Sequence, residues 1–85
     1  MFYVYVIQNV DRVDELYLGF SSNLQRRLRE HNQGHNRSTR GRQWQLIYYE
    51  AYMTEQAARK REQSLKRDGR VKRFLIERLM RYQHL

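Results

Sequence analysis

Residues 2–20 read Phe2-Tyr3-Val4-Tyr5-Val6-Ile7-Gln8, then Asn9-Val10-Asp11-Arg12-Val13, then, after Asp14, Glu15-Leu16-Tyr17-Leu18-Gly19-Phe20. Both apolar runs alternate, which is the period of a half-buried strand. Phe2, Val4 and Val6 would face one way, and Tyr3, Tyr5 and Ile7 the other. Leu16, Leu18 and Phe20 would stand opposite Tyr17 and Gly19. The polar break is a plausible five-residue hairpin loop. Centred on Asp11, it sets Tyr5 across from Tyr17 and Tyr3 across from Gly19. Two tyrosines then share one face beside a glycine.

Working outward, Ser22 and Gln25 have capping-box spacing, and Leu24, Leu28 and His31 form a stripe at helical spacing with Arg27 beside it. A helix over Asn23 to about Gln33 follows, stopped by Gly34. Residues 34–44 (GHNRSTRGRQW) carry no core periodicity and are expected as an exposed loop. Gln45 to Tyr52 is β-branched and aromatic, hence a third strand pairing with either hairpin strand in an antiparallel sheet. Thr54 is a good N-cap for a second helix running to Asp68-Gly69. Its face holds Ala58, Glu62 and Leu65, which sets a carboxylate at the margin of a buried stripe. A last helix, Val71 to about Tyr82, presents Val71, Phe74, Leu75, Leu79 and Tyr82 on one side.

The chain has 85 residues, no cysteine and eleven aromatic residues, so apolar packing in one small domain must hold it without disulfides or thiolate zinc. The missing cysteine fits a reducing cytoplasm. No apolar run approaches a membrane helix, and no basic leader with an apolar core precedes the first strand. The net charge is +8, and fourteen of the seventeen basic residues are arginine, whose planar fork pairs bidentately with phosphate. No acid lies between Glu30 and Glu50, where Arg37, Arg40 and Arg42 fall. Against a merely solvated basic surface this favours a phosphate-backbone footprint, and an acidic protein or a membrane surface stays open as partner.

The polar residues directed at the sheet are Tyr5, Tyr17, Arg27, His31 and Glu62. Here the chain resembles the GIY-YIG nuclease family, in its small form related to the catalytic module of the bacterial excinuclease C subunit. The half-motifs stand as Tyr3-Val4-Tyr5 and Tyr17-Leu18-Gly19. The helix signature runs from Asn23 to Asn32, and Arg61-Glu62-Gln63-Ser64-Leu65-Lys66 follows later. The Ser38-Thr39-Arg40 loop and the Trp44-to-Tyr49 strand are also similar. Tyr3 replaces the first glycine of the family name, and Phe20 stands where some members carry a lysine.

The resemblance implies an α/β fold of the α+β sandwich kind. A three-stranded antiparallel sheet is flanked by three helices in the order β-β-α-β-α-α, with residues 1–85 as a single domain. It implies an endonuclease hydrolysing phosphodiester bonds in DNA, in repair or processing, with Mg²⁺ or Mn²⁺ as cofactor. Glu62 matches the metal-binding carboxylate, Arg27 the arginine on the scissile phosphate, Tyr5 and Tyr17 the motif tyrosines and His31 the supporting position. A tyrosine is a poor base at neutral pH, so a neighbour must help it take a proton, and Tyr5 and Tyr17 share that assignment. Arg26, Arg37, Arg40, Arg42 and Lys66 would hold nucleic acid, DNA rather than RNA. A monomer or weak dimer is expected. The alternative is a nucleic-acid-binding module of the same fold with little or no hydrolysis.

Overall fold

A computed structural model describes residues 1–83, with side chains as far as Arg81. The elements run β1 (Phe2–Asn9), β2 (Leu16–Ser21), α1 (Leu24–Asn32), β3 (Trp44–Tyr52), α2 (Glu55–Arg67) and α3 (Gly69–Gln83). This is the expected α+β order. The three strands form one antiparallel sheet in the order β2-β1-β3, so the third strand pairs with the first. β1 takes the centre because its residues from Val4 to Asn9 are all buried.

The alternation of the hairpin holds, and its two faces meet different helices. Val4 and Val6, with Leu16, Leu18 and Phe20 beside them, pack against Ala58 and Leu65 of α2 and Leu75 and Leu79 of α3. Tyr5 and Ile7 pack on the opposite face with Trp44, Tyr17 and the α1 leucines Leu24 and Leu28. β3 serves both faces through a bulge. Ile7 pairs with Leu46 while Val6 pairs with Tyr48, leaving Ile47 as the extra residue. Trp44 and Leu46 therefore point to α1, whereas Tyr48 and Tyr52 point to α2 and α3.

The expected register requires a correction. Tyr5 pairs with Gly19, Ile7 with Tyr17 and Tyr3 with Ser21, so the hairpin is centred on Arg12 rather than Asp11. The turn lies one residue further along than expected because β1 runs on to Asn9, whose amide donates to the Glu15 carbonyl at 3.0 Å. The Asn9 side-chain oxygen accepts the amides of Asp11 (2.9 Å) and Arg12 (3.2 Å), an Asx turn that fixes the first corner. Moving the centre by one residue moves the register by two, so every side chain keeps its face.

Helix ends follow local chemistry. Asn23, not Ser22, caps α1, accepting the Arg26 amide at 3.0 Å. Ser21 supports it by donating to the Asn23 carbonyl at 2.9 Å. Past the helix, Gly34 at φ +80° lets the His35 amide reach the Glu30 carbonyl at 3.0 Å. Thr54 caps α2 as expected. α3 starts two residues before Val71 because Asp68 accepts the Arg70 amide at 3.0 Å.

Two side-chain placements differ from expectation. Phe74 is 61% exposed, because the buried stripe of α3 steps in fours through Val71, Leu75 and Leu79, and Phe74 lies off its edge. In the polar loop, Thr39 is fully buried. The expected placement of Tyr82 falls outside the described side chains. Among the described residues no helix is long and apolar enough to cross a membrane.

Candidate active site

The site begins where β1, β2 and α1 converge. Tyr5 projects from the central strand toward its partner Gly19, where the missing side chain leaves room for the phenol ring. Its hydroxyl meets His31 Nε2 at 2.7 Å and accepts from Arg27 Nε at 3.3 Å. Arg27 and His31 lie one helical turn apart on α1, so a single helix face delivers both to one phenol. Tyr17, from the neighbouring strand, sets its ring edge against the same imidazole with centroids 5.0 Å apart. The structure thus brings Tyr5, Tyr17, Arg27 and His31 together, although the two tyrosines are diagonal rather than directly opposed.

Burial pushes the Tyr5 phenol up to about 12. Arg27 pulls against this, while Tyr17 and the Glu62 carboxylate add to it. Tyr5 is therefore a neutral phenol at physiological pH. Burial, and then the Arg27 charge, hold His31 below its ordinary value, so the imidazole is neutral as well. Arg27 is anchored from the side by Glu30, which accepts from its Nη1 at 3.2 Å.

Glu62 lies on α2, close enough for its charge to act on Tyr5, and is paired with Lys66 at 3.2 Å. The Glu62 side chain is largely shielded while Lys66 is half exposed. Among the described residues no group of three His, Cys, Asp or Glu could hold a metal ion. One carboxylate is a poor fit to zinc or to a calcium cage. It suits Mg²⁺ or Mn²⁺, which keep several waters and take other oxygens from phosphate.

The expected phosphate-binding residues divide. Arg26, Arg37 and Arg40 are exposed, Arg40 donating to the Gly34 carbonyl at 3.2 Å. Arg42 is committed within the fold. It pairs with Glu15 at 2.7 Å, donates to the Ser38 carbonyl and lies 5.5 Å over the Trp44 ring.

Three features escape a sequence reading. Thr39 meets His31 Nδ1 at 2.7 Å, and Asn36 donates to the Tyr17 hydroxyl at 3.4 Å. A lone threonine and asparagine in a polar loop give no signal of this. On the far face, Glu50 takes two bonds from Arg61, at 2.9 and 3.1 Å, and one each from Tyr48 and Tyr52. Burial works to raise the Glu50 carboxyl, but the Arg61 and tyrosine hydrogen bonds outweigh it and the net direction is down. That network ties β3 to α2 and contains none of the expected site residues.

The site is thus a β-hairpin carrying two diagonal tyrosines, followed by a helix that carries arginine and histidine. The family profile described as the GIY-YIG catalytic domain matches residues 1–74, and the chain belongs to that family. Its relatives include a UPF0213 protein of Haloquadratum walsbyi, 40% identical over 73 residues, covering 84% of this chain and 80% of that one. Another, from Lactiplantibacillus plantarum, is 39% identical over 74 residues, covering 82% and 71%. A third, from Clostridium perfringens, is 36% identical over 69 residues, covering 79% and 72%. No solved structure matches the chain significantly. The family is one of nucleases, which implies a nucleic-acid substrate.

Proposed function

We propose that residues 1–85 act as a single divalent-metal-dependent endonuclease unit that hydrolyses phosphodiester bonds in DNA during repair or processing. The observation that carries this reading is the bonding of one buried phenol, Tyr5, to both Arg27 and a neutral His31. A packing tyrosine needs neither a guanidinium nor an imidazole nitrogen on its hydroxyl.

Hydrolysis gathers negative charge on the phosphoryl oxygens and on the leaving oxygen. The Arg27 guanidinium, with its Nε on Tyr5 and one Nη on Glu30, is held in a fixed plane for a phosphoryl oxygen. Tyr5 or Tyr17 receives a proton from the attacking water, and His31 stands behind both. Glu62 is the carboxylate that would hold Mg²⁺ or Mn²⁺, which when bound supplies positive charge to the oxygens of the reacting phosphate. Arg26, Arg37 and Arg40 hold flanking phosphates, and Lys66 joins them when it leaves Glu62.

The test is nicking of supercoiled plasmid with Mg²⁺ or Mn²⁺ by the wild type, Glu62→Ala and Arg27→Ala. Loss of nicking in both variants supports the reading, whereas equal activity in all three sinks it. Salt-sensitive DNA binding with no cleavage by any of them would identify a binding module of the same fold.

A further inference from the structure

The imidazole of His31 is closed in on both sides, by the Tyr5 hydroxyl at Nε2 and by Thr39 Oγ1 at Nδ1, each at 2.7 Å. His31 and Thr39 are both fully buried. In such a line every proton can be assigned from what each end is able to do.

At the Tyr5 end the second neighbour of the hydroxyl is Arg27 Nε, a group that only donates. Among the described residues the proton of Tyr5 therefore has one acceptor, His31 Nε2, which must be bare. A neutral imidazole with a bare Nε2 carries its hydrogen on Nδ1, and that hydrogen points at Thr39. Thr39 Oγ1 must then accept from His31 and spend its own proton elsewhere. The Asn36 carbonyl, a group that only accepts, lies 3.4 Å away on the far side. Both ends thus give the same direction: Arg27 to Tyr5, Tyr5 to His31, His31 to Thr39, Thr39 to Asn36. The reverse arrangement strands the Tyr5 proton in a buried site, which proteins avoid.

We propose that Thr39 is a positioning residue that locks His31 as its Nδ1–H tautomer and so makes Tyr5, rather than Tyr17, the tyrosine that passes its proton to His31. The proposal rests on the hydrolytic reading above and sharpens it. As the water oxygen bonds to phosphorus, its proton passes to the Tyr5 oxygen while the Tyr5 proton passes to His31 Nε2. The bond from phosphorus to the leaving oxygen breaks, and that oxygen takes a proton from solvent. After the product departs the relay resets through Tyr5: Tyr5 gives a proton to the water that replaces the product, and His31 Nε2 returns its extra proton to the Tyr5 oxygen. At no stage does Tyr5 exist as a free phenolate. The imidazolium formed in passing donates from both nitrogens, and it faces two oxygens able to accept.

Tyr17 is placed differently. Its oxygen accepts from the Asn36 side chain, and its ring meets His31 by an edge contact rather than by a hydrogen bond to Nε2. The lock is itself anchored, because the Thr39 carbonyl accepts the Trp44 indole N–H at 3.0 Å. The turn also carries Arg37 and Arg40, so the residues expected to grip phosphate sit on either side of the lock.

The experiment uses the full chain labelled with ¹⁵N at histidine, as wild type, Thr39→Ser and Thr39→Val. His31 signals are assigned by their loss in His31→Gln. Wild type and Thr39→Ser should show the Nδ1–H tautomer, and Thr39→Val, isosteric but without the hydroxyl, should lose that single form. Plasmid nicking should fall about 10–100-fold in Thr39→Val, the range seen for partners that orient metal-bound histidines, and stay within about threefold in Thr39→Ser. An Nε2–H tautomer in the wild type overturns the proposal even if Thr39→Val does not fold. So does an unchanged tautomer in a folded Thr39→Val, or a Thr39→Ser that loses as much activity as Thr39→Val. Absence of nicking by the wild type would remove the nuclease reading, while the tautomer still judges the role of Thr39.

Discussion

The phenol ring of Tyr5 lies across Gly19, its partner on the neighbouring strand, and fills the space where a side chain would stand. A β-carbon on Gly19 would come within 2.6 Å of Tyr5 Cζ and closer still to the hydroxyl oxygen. Gly19 has no left-handed backbone angle to justify it, so the requirement is for space alone. The ring cannot swing aside cheaply, because its hydroxyl is tied to His31 and Arg27. Gly19→Ala should therefore destabilise the fold by about 1–3 kcal/mol, as overpacking does. It should also cut plasmid nicking by more than the folded fraction explains. Urea unfolding read beside the nicking rate separates the two effects, and a variant of wild-type activity would show the contact to be unimportant.

The acid limb of cleavage should lie below pH 6.5. His31 must be neutral to receive a proton, and burial with the Arg27 charge holds it below that ordinary value. Activity should rise as pH climbs through this depressed range and stay flat to well above neutrality, because Tyr5 titrates only at about 12. The same shift acts on stability. The unfolded chain binds the histidine proton at higher pH than the folded one, so stability is lost as pH falls through 6.5 and then through the folded value. Initial nicking rates between pH 5 and 9 at fixed metal concentration check the first claim. An acid limb well above pH 6.5 would contradict it.

Stability at still lower pH should depend on Glu50. Its carboxyl lies below 4.5 in the folded chain, so its contribution is present above the unfolded value and lost as pH falls through the folded one. Arg61→Ala leaves the carboxylate with only its tyrosine partners and should lower stability by about 1–3 kcal/mol, less than a fully buried pair because Arg61 is one-third exposed. Glu50→Gln should flatten the acid limb of a urea-denaturation profile between pH 5 and 3. A limb as steep as that of the wild type would place the acid sensitivity elsewhere.

What could be read from the sequence followed its periodicity. The alternation in Phe2–Ile7 and Leu16–Phe20 fixes which residues share a face. Those faces survived a two-residue error in register because that error is an even number. The register itself depends on the Asn9 side chain closing an Asx turn, and three different acceptors in the loop could have done so. Tyr5, Arg27 and His31 were legible as a group because α1 follows the hairpin directly and its spacing sets both residues on one face. Thr39 was not, since burial of a loop residue is decided by tertiary contact with His31 and Trp44 and leaves no periodic trace. Arg42 looked like Arg37 and Arg40 for the same reason. Its turn inward depends on Glu15 and Trp44, which come from elements far apart in sequence.

Lys66 should compete with the metal for Glu62. The ammonium lies 3.2 Å from the carboxylate and is half exposed, so a divalent ion must displace it. As an i,i+4 pair open to solvent it contributes no more than about 0.5 kcal/mol to stability. Lys66→Ala should therefore leave the melting temperature nearly unchanged and lower the Mg²⁺ concentration giving half-maximal nicking. Glu62→Gln should keep the fold and remove metal-stimulated nicking, and excess chelator should silence the wild type in the same way. A higher Mg²⁺ requirement in Lys66→Ala would mean that the lysine helps to gather the substrate more than it obstructs the ion.

Arg37, Arg40 and Arg42 should separate in a salt titration of DNA binding. Each phosphate neutralised by the protein releases condensed counterions, so each such contact adds about 0.9 to the slope of log affinity against log salt on duplex DNA. Arg37 and Arg40 are exposed on the loop, and replacing either with alanine should reduce that slope by about one while leaving urea unfolding unchanged. Arg42 gives its charge to Glu15 and its plane to the Trp44 ring. Arg42→Ala should instead lower stability by about 1 kcal/mol, through the lost cation–π and ion-pair contacts, and leave the slope within error. Trp44 also holds the Thr39 carbonyl, so loosening it should disturb the tautomer of His31 without touching any phosphate contact. An Arg42→Ala variant that loses a full unit of slope but no stability would return Arg42 to the DNA interface.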